Sequence, residues 1–302
     1  MEFPFHYDHG SPLAFGGTVP HPRSFDDSRI VVLPIPVDRT TSYVSGTRNG
    51  PHEILQASSH MELWDEEVQA DIHGIGIFTL PEMELPFGEM QPLVDEIERV
   101  AYEVIARDKF LVSLGGEHSI TPPLVSAAAR RHPQLSVLQI DAHADMRDSY
   151  MGTMHNHACA MRRCIEYASV TQVGIRSLST EEAEVLPKLG SKVFYDHAMR
   201  RDPQWIDRVV ETLGNEVYIT IDVDGMDPAI MPATGTPEPG GLSWPEITAL
   251  LRATAERRHV VAADVVELSP IPGMIAPSFL CAKLIYKLLT YCFASHEGVR
   301  RM

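Results

Sequence analysis

The sequence predicts an α/β protein with a three-layer α/β/α architecture and a mostly parallel central sheet. Short apolar runs alternate with amphipathic helical segments along the whole chain, which is the pattern of a parallel sheet covered on both faces. The 302 residues are 44% hydrophobic, enough to fill a large core. No internal repeat, low-complexity tract or linker divides them. We therefore expect one domain over residues 1–302, in which residues 1–29, rich in Gly, Pro and polar groups, form an N-terminal arm or loops.

Seven apolar runs bounded by turn residues predict strands. Strands that are buried on both faces have nearly continuous apolar sequences rather than strict alternation of apolar and polar residues. The predicted strands are Ile30–Leu33, Phe110–Leu114, Leu135–Ile140, Val170–Ile175, Lys192–Tyr195, Val217–Ile221 and Val260–Val266.

Helices are predicted between these strands. Met90–Ala106 has apolar residues at helical spacing and is the clearest amphipathic helix in the first third of the chain. Ser119 or Thr121 is expected to cap the helix that begins after Gly115–Ser119, because hydroxyl oxygens accept hydrogen bonds from the free N–H groups of a helix start. The other predicted helices begin at Pro51 and at the capping boxes Ser179–Glu182 and Ser243–Glu246, or span Pro203–Leu213 and Pro277–Phe293.

The composition excludes several classes of function. A formal charge of −16 argues against nucleic acid or an anionic membrane as partner, and is compatible with attraction of a cationic substrate. Four widely spaced cysteines predict reduced thiols rather than a disulfide scaffold. No signal peptide is indicated, and the most apolar late segment, Met274–Ala294, is interrupted by Pro277, Lys283 and Lys287. We expect a cytoplasmic protein without a membrane span.

Potential metal ligands follow the predicted strand Leu135–Ile140. In an extended segment alternate side chains point to the same side, so Asp141, His143 and Asp145 would form a row at the strand end. A solvated charged turn after a strand would contain the same residue types. The rest of the sequence decides between the two interpretations.

Further acids and a histidine follow other strands. His118 comes after Phe110–Leu114, and Glu267 comes after Val260–Val266. Asp222 and Asp224 follow Val217–Ile221. The carboxyl ends of parallel strands meet at one sheet edge, so these side chains are expected to converge. Singly, His118 could be a hydrogen-bonded core histidine, and Asp222–Gly225 a turn or a surface calcium loop.

Together the strand ends offer four aspartates and two histidines, enough to hold two divalent ions with a shared water. Oxygen-rich ligand sets with some imidazole suit Mn²⁺ better than zinc. In binuclear hydrolases two such ions, roughly 3.5–4 Å apart, lower the pKa of a bridging water and make hydroxide available near neutral pH.

Several blocks resemble the signature motifs of the ureohydrolase family, which contains arginases and agmatinases. The resemblance runs from about Pro36 to the C-terminus, in the order and spacing of the family. It implies the arginase-type α/β/α fold, two Mn²⁺ per chain, hydrolysis of a guanidino group to urea and an amine, and homo-oligomers, usually trimers or hexamers. The blocks are Gly115–Ser119, Asp141–Asp145, Asp222–Pro228, Thr234–Pro237 and Gly240–Leu242.

The resemblance also implies residue roles. Glu267 falls where the family has its guanidinium-binding acid, and a carboxylate accepts a planar guanidinium through paired charge-assisted hydrogen bonds. The alternative for Glu267 is a strand-end acid that caps a turn. The implied metal ligands, of which Asp145 is also counted as catalytic, are His118, Asp141, His143, Asp145, Asp222 and Asp224.

The proton-relay histidine of the family usually precedes a glycine. Here the matching pair is His157–Ala158, and His155 is a rival. A histidine titrates near neutrality and could protonate the departing amine. We favour His157 as the catalytic and substrate-contacting residue.

Within the family, the blocks Thr40–Tyr43, Glu62–Glu67 and Pro239–Leu242 resemble agmatinases more than arginases. Arginases continue the aspartate row with an Asn that holds the substrate α-carboxylate, and this chain has Met146–Arg147 there. The leading hypothesis is hydrolysis of agmatine, a small cationic guanidino substrate, to putrescine and urea in polyamine biosynthesis. If Arg147 lines the pocket, a guanidino acid such as 4-guanidinobutyrate is the alternative, and arginine is less favoured.

Two other classes remain open. A deacetylase-like enzyme would share the fold but hold a single zinc, and a non-catalytic assembly protein would be expected to have lost ligands. The complete set of six argues against both.

Overall fold

The computed structural model describes residues 11, 13–17, 24–86, 88–296 and 299–301. Its strands are β1 (Ile30–Ile35), β2 (Ala70–Asp71), β3 (Ile77–Thr79), β4 (Phe110–Gly115), β5 (Ser136–Ile140), β6 (Ser169–Ile175), β7 (Lys192–Tyr195), β8 (Glu216–Asp222), β9 (His259–Val266) and β10 (Arg300–Arg301). Its α-helices are α1 (Gly50–Ser58), α2 (Met90–Ile105), α3 (Thr121–Arg131), α4 (Ala160–Cys164), α5 (Thr180–Leu189), α6 (Asp196–Met199), α7 (Trp205–Thr212), α8 (Trp244–Arg257) and α9 (Ala276–Phe293).

Eight strands form one parallel sheet in the order β3-β1-β4-β9-β8-β5-β6-β7. The short strands β2 and β10 pair antiparallel outside it. The four strands with predicted site residues at their ends, β4, β9, β8 and β5, are consecutive neighbours in the middle of the sheet. The mostly parallel central sheet is thus confirmed, and its topology gathers residues from distant parts of the sequence.

Helices cover both faces of the sheet because strand residues alternate between two hydrophobic cores. In β1, Ile30 and Val32 pack into one core, and Val31 and Leu33 into the other. Helices α1, α7, α8 and α9 contribute to the first core, and α2, α3, α4 and α5 to the second. This arrangement confirms the predicted three layers.

The seven predicted strands are all present, with small shifts of their ends. Five elements were missed because they are short: the strands β2, β3 and β10, and the helices α4 and α6. A 3₁₀ turn covers His157–Cys159, and α4 follows it directly from Ala160.

The predicted cap of α3 was wrong. This helix continues directly from a 3₁₀ turn over His118–Ile120, and no side chain caps it. The Ser119 hydroxyl donates instead to Glu117, at 2.6 Å, and the Thr121 hydroxyl to Asp264, at 3.0 Å. A hydrogen bond that a hydroxyl donates to a buried carboxylate is stronger than one that it accepts from a backbone N–H at the helix start.

The expected N-terminal arm lies partly outside the described residues. Residues 11, 13–17 and 24–29 have turn and irregular structure up to the start of β1. Phe15 is fully buried, and its N–H donates to Thr79 Oγ1 at 2.9 Å, so this described part packs onto the sheet. Among the described helices, none is long and apolar enough to cross a membrane.

A buried ion-pair network attaches the segment around Asp65 to α9. Lys287 Nζ lies 3.1 Å from Asp65 Oδ2 and 2.8 Å from Glu67 Oε2, and the Lys287 and Asp65 side chains are 5% and 0% exposed. Burial alone would raise the pKa of Glu67, but hydrogen bonds from Lys287, Tyr291 and Arg252 lower it to about 2. Removing one partner of such a pair leaves the other charge buried without a counter-charge.

We predict that Lys287→Met lowers the free energy of unfolding by about 3–5 kcal/mol, because Asp65 then stays buried without a counter-charge. Urea unfolding followed by circular dichroism measures the loss. Lys283→Met is the matched control, since Lys283 lies one turn earlier, donates to the Glu62 carbonyl at the surface and lies 5.9 Å from the centre of the Tyr286 ring. It should change stability by less than about 1 kcal/mol. Equal effects of the two variants would contradict the assignment.

Candidate active site

The predicted site residues meet at the carboxyl edge of the sheet, around a cavity of about 260 Å³. His118 and Asp141 are fully buried beside the cavity wall. The other six predicted residues all line the cavity: His143, Asp145, His157, Asp222, Asp224 and Glu267.

The first group of potential metal ligands surrounds the His118 ring. Its Nδ1 atom lies 3.0 Å from Asp145 Oδ2, 3.2 Å from Asp141 Oδ2 and 3.4 Å from Asp222 Oδ2. Nδ1 is buried yet makes no hydrogen bond of acceptable geometry with any described residue. Three carboxylate oxygens and an uncommitted ring nitrogen directed at one point form the donor set of a cation site.

The second group surrounds the His143 ring. His143 Nδ1 lies 2.9 Å from Asp224 Oδ2 and 3.7 Å from Asp141 Oδ1. Asp141 therefore belongs to both groups, with one carboxylate oxygen directed toward each. A carboxylate shared in this way would contribute a ligand to each of two neighbouring cations.

The electrostatics of the carboxylates also indicate a cation. Burial and the neighbouring Asp141 charge raise the pKa of Asp145 to about 7. Burial, with the charges of Asp224 and Asp141, raises the pKa of Asp222 well above its usual range. Carboxylates so close together cannot all ionise unless positive charge lies among them. Hard divalent ions with oxygen and imidazole ligands supply that charge, so the residues fit the metal that the sequence predicts.

Side chains behind the ligands hold them in orientation. The His118 Nε2 atom lies 2.9 Å from Thr220 Oγ1, and that hydroxyl donates to Asp264 Oδ1 at 2.6 Å. Because the hydroxyl hydrogen goes to Asp264, Nε2–H must donate to Thr220, which leaves the Nδ1 lone pair for a metal. Asp141 Oδ2 accepts a hydrogen bond from Gln139 Nε2 at 2.6 Å, and Gln139 Oε1 accepts one from Gln172.

The backbone at the site departs from the extended row that the sequence suggested. Strand β5 ends at Ile140, and Asp145 has a φ of 52°, so the ligands converge through a turn rather than along a strand. Glu267 has a φ of 65°, and residues other than glycine rarely adopt such values. Gly116 is required nearby, since a Cβ atom there would lie 1.7 Å from the Val37 carbonyl oxygen.

Glu267 and the ligand loop hold each other in place. The Glu267 N–H donates to Gly116 O at 2.8 Å, and the His118 N–H donates to Glu267 Oε1 at 2.7 Å. Burial and the nearby Glu117 charge raise the pKa of Glu267 well above its usual range. The carboxyl group thus has a fixed orientation at the cavity wall.

The two candidate relay histidines have different positions. His157 lines the cavity, and its Nδ1 atom is 3.2 Å from Thr40 Oγ1. His155 is not among the described residues that line the cavity. Burial lowers the pKa of His157, so its ring is predominantly neutral at neutral pH.

Arg147 lines the outer part of the cavity and has partners there. Its guanidinium carbon lies 4.7 Å from the centre of the Tyr150 ring, and its Nε atom is 3.9 Å from Glu182 Oε2. The cavity therefore carries one cation on its wall, partly balanced by an acid.

Comparison with known proteins agrees with this geometry. A model of the arginase family matches residues 28–290. The chain is 39% identical over 276 residues to the N(1)-aminopropylagmatine ureohydrolase of Synechocystis sp., covering 89% of this chain and 90% of the relative. It is 34% identical over 255 residues to the agmatinase of Bacillus cereus, covering 83% and 87%. The crystal structure of the agmatine ureohydrolase of Thermoplasma volcanium superposes with a TM-score of 0.85 at 32% identity, covering 95% and 97%.

A three-layer α/β/α fold with carboxylates and imidazoles gathered at one sheet edge defines the class of metal-dependent hydrolases. Within that class, this chain belongs to the arginase family and is a ureohydrolase, an enzyme acting on the C–N bonds of guanidino groups. The resemblance drawn from the sequence motifs is confirmed.

The residues behind the ligands were missed in the sequence. Gln139 and Thr220 each lie two positions before an aspartate ligand, and so on the same side of an otherwise apolar strand. Asp264 is a charged residue within the buried strand β9. Polar residues inside buried strands are uncommon, and that is the signal that could have identified these three. Glu117 and Thr40 lie in loops after β4 and β1, so a polar residue inside a buried strand could not mark them.

We predict that adding Mn²⁺ to chelator-treated protein raises its Tm, because a cation relieves the repulsion among buried carboxylates; binding at 100 times Kd adds about 2.7 kcal/mol. Asp141→Asn should lose most of the increase, since Asp141 belongs to both ligand groups. Thermal unfolding with and without EDTA measures it. Asp108→Asn, at a side chain that is 74% exposed, is the control and should keep the parental increase. A parental increase in Asp141→Asn would contradict the site.

Proposed function

We propose that the protein hydrolyses the guanidino group of agmatine, giving putrescine and urea. The observation that supports this most directly is that Glu267 lines the same cavity as the potential metal ligands. A guanidinium held by Glu267 would place its central carbon toward those ligands. The same cavity can therefore bind the guanidinium of the substrate and bring water to its central carbon.

The proposal includes two Mn²⁺ per chain. His118, Asp145 and Asp222 would hold one ion, His143 and Asp224 the other, and Asp141 would contact both. When bound, such ions act as Lewis acids and activate water for attack near neutral pH.

Glu267 would recognise the reacting end of the substrate. A carboxylate facing a guanidinium forms two parallel charge-assisted hydrogen bonds, which fix both the plane and the position of the group. The His118 N–H already orients this carboxylate. Such pre-organisation lowers the entropic cost of reaching the transition state.

His157 would move the proton that the departing amine needs. Its ring lies at the cavity wall and is neutral near pH 7, so it can take a proton from solvent and deliver it to the leaving nitrogen.

The outer cavity supports a substrate without a carboxylate. Glu182 is buried and close to Arg147, so the arginine charge is partly balanced before any substrate enters. A longer substrate of the same chemistry, N(1)-aminopropylagmatine, is a second candidate, because the 39% identical relative is named for it. Both compounds have a guanidinium at one end and an amine at the other.

Glu267→Gln is expected to reduce urea release from agmatine by about 10²–10³-fold, since it keeps the shape of the side chain and removes the charge that faces the guanidinium. Steady-state kinetics at saturating Mn²⁺ measure it, with metal content and Tm as checks on the fold. Glu182→Gln is the matched control, because it removes a carboxylate charge from the same cavity wall. Its loss should be at least about tenfold smaller. Turnover by Glu267→Gln near the parental rate with metal bound would contradict the role of Glu267.

We predict that kcat/KM for agmatine or N(1)-aminopropylagmatine exceeds that for arginine by about 10³-fold, because an unpaired substrate carboxylate costs several kcal/mol in an acidic cavity. A urea-release screen with these compounds and 4-guanidinobutyrate measures the ratios. If 4-guanidinobutyrate is preferred, and Arg147→Ala abolishes that preference, the substrate is a guanidino acid paired with Arg147. The ureohydrolase assignment would then stand and the agmatine proposal would fail.

Three expectations from the sequence stay predictions: the homo-oligomer, the cytoplasmic location, and a single domain over residues 1–302.

A further inference from the structure

Glu117 is a fully buried acid that is not among the described residues lining the cavity, and it accepts four hydrogen bonds. The backbone N–H groups of Arg39 and Thr40 donate to its Oε2 atom at 2.8 and 2.6 Å. The hydroxyls of Thr40 and Ser119 donate to its Oε1 atom at 2.9 and 2.6 Å. Four donors around one carboxyl group hold it in place, so it is a fixed acceptor for the Thr40 hydroxyl.

The Thr40 hydroxyl lies between Glu117 and His157. Its hydrogen points to Glu117 Oε1, which leaves the oxygen as an acceptor. That oxygen accepts the backbone N–H of His157 at 3.1 Å and lies 3.2 Å from the His157 Nδ1 atom. A hydroxyl has one hydrogen and two lone pairs, so its only remaining role toward Nδ1 is to accept a hydrogen bond.

We propose that Glu117, acting through Thr40, fixes His157 in the tautomer with its proton on Nδ1, so that Nε2 is the nitrogen that exchanges a proton in the cavity. The inference rests on the proposed function for the role of His157 in the reaction, but the tautomer follows from the hydrogen bonds alone. Glu117 and Thr40 are positioning residues, since neither would touch substrate.

The arrangement uses the backbone as well as side chains. Gly116 packs against the Val37 carbonyl oxygen, and the Glu117 N–H donates to the same oxygen at 2.8 Å. The loop after β4 and the loop after β1 are thereby held together. The first loop carries the metal ligand His118, and the second carries Thr40, so the relay histidine keeps a fixed position relative to the metal ligands.

The test measures the His157 tautomer by long-range ¹H–¹⁵N correlation NMR on ¹⁵N-histidine-labelled protein loaded with diamagnetic Mg²⁺. A His157→Asn spectrum assigns the signals. We expect Nδ1–H in the parent and in Thr40→Ser, which keeps the hydroxyl. In Thr40→Val, an isostere without it, we expect a mixture or the Nε2–H form. Ser119→Ala removes a hydroxyl from the same Glu117 oxygen without touching His157, and should keep the parental tautomer.

Kinetics give the second readout. Thr40→Val should lower kcat for agmatine by about 10²-fold with a smaller change in KM, because general acid–base catalysis contributes about this much. Thr40→Ser should recover kcat to within about fivefold of the parent. If Thr40→Val does not fold, Thr40→Ala replaces it, with Tm and metal content as checks.

An Nε2–H tautomer in the parent, or an unchanged Nδ1–H tautomer in Thr40→Val and Thr40→Ala, would overturn the proposal. Failure of the parent to release urea from agmatine would instead overturn the proposed function, since the tautomer measurement needs no turnover. The two failures are therefore distinguishable.

Discussion

The structure depends on one electrostatic constraint, the burial of several carboxylates at the carboxyl edge of the sheet. Their mutual repulsion is limited because backbone N–H groups donate to carboxylate oxygens at the site. Asp141 Oδ1 accepts the His143 N–H at 2.5 Å, and Asp222 Oδ1 accepts the Asp224 N–H at 2.9 Å. These bonds hold the loops in position at the ends of the central strands of the sheet. The order β4-β9-β8-β5 brings them together across more than a hundred residues of sequence.

The sequence was sufficient to predict that the proposed ligands converge, and insufficient to predict the contacts that hold them in place. Asp141 and Asp222 follow continuous apolar runs, and the carboxyl ends of neighbouring parallel strands must meet, so their convergence could be predicted. The contact between Thr40 and Glu117 joins residues 77 positions apart through two loops, and neither loop has a periodicity that determines its path. The cap expected at Ser119 was wrong for the same reason. Local propensity assigns that hydroxyl to the helix start, whereas the tertiary structure places a buried carboxylate 2.6 Å away.

The floor and the mouth of the cavity differ in the part of a substrate that they would contact. The floor consists of the predicted metal ligands and Glu267, and any guanidino substrate would meet it in the same way. The mouth is formed by loops with Tyr43, Arg147 and Tyr150, and it would contact the part of the substrate that differs between agmatine, its aminopropyl derivative and the guanidino acids. Differences in affinity for these tails must arise at the mouth, because specificity is a difference between binding energies. This explains why family membership follows from the motifs while the substrate has to be measured.

Backbone strain links the two halves of the floor. Asp145 and Glu267 both have positive φ values, which cost of order 1–3 kcal/mol each and persist only where surrounding contacts fix them. For Glu267 those contacts are reciprocal, since its N–H donates to Gly116 O and its carboxylate accepts the His118 N–H. The acid proposed to bind the guanidinium and the first metal ligand therefore cannot shift independently. A substitution that relaxed the Glu267 backbone would release the donor that orients its carboxylate and disturb His118 as well, so losses of guanidinium recognition and of metal affinity should appear together.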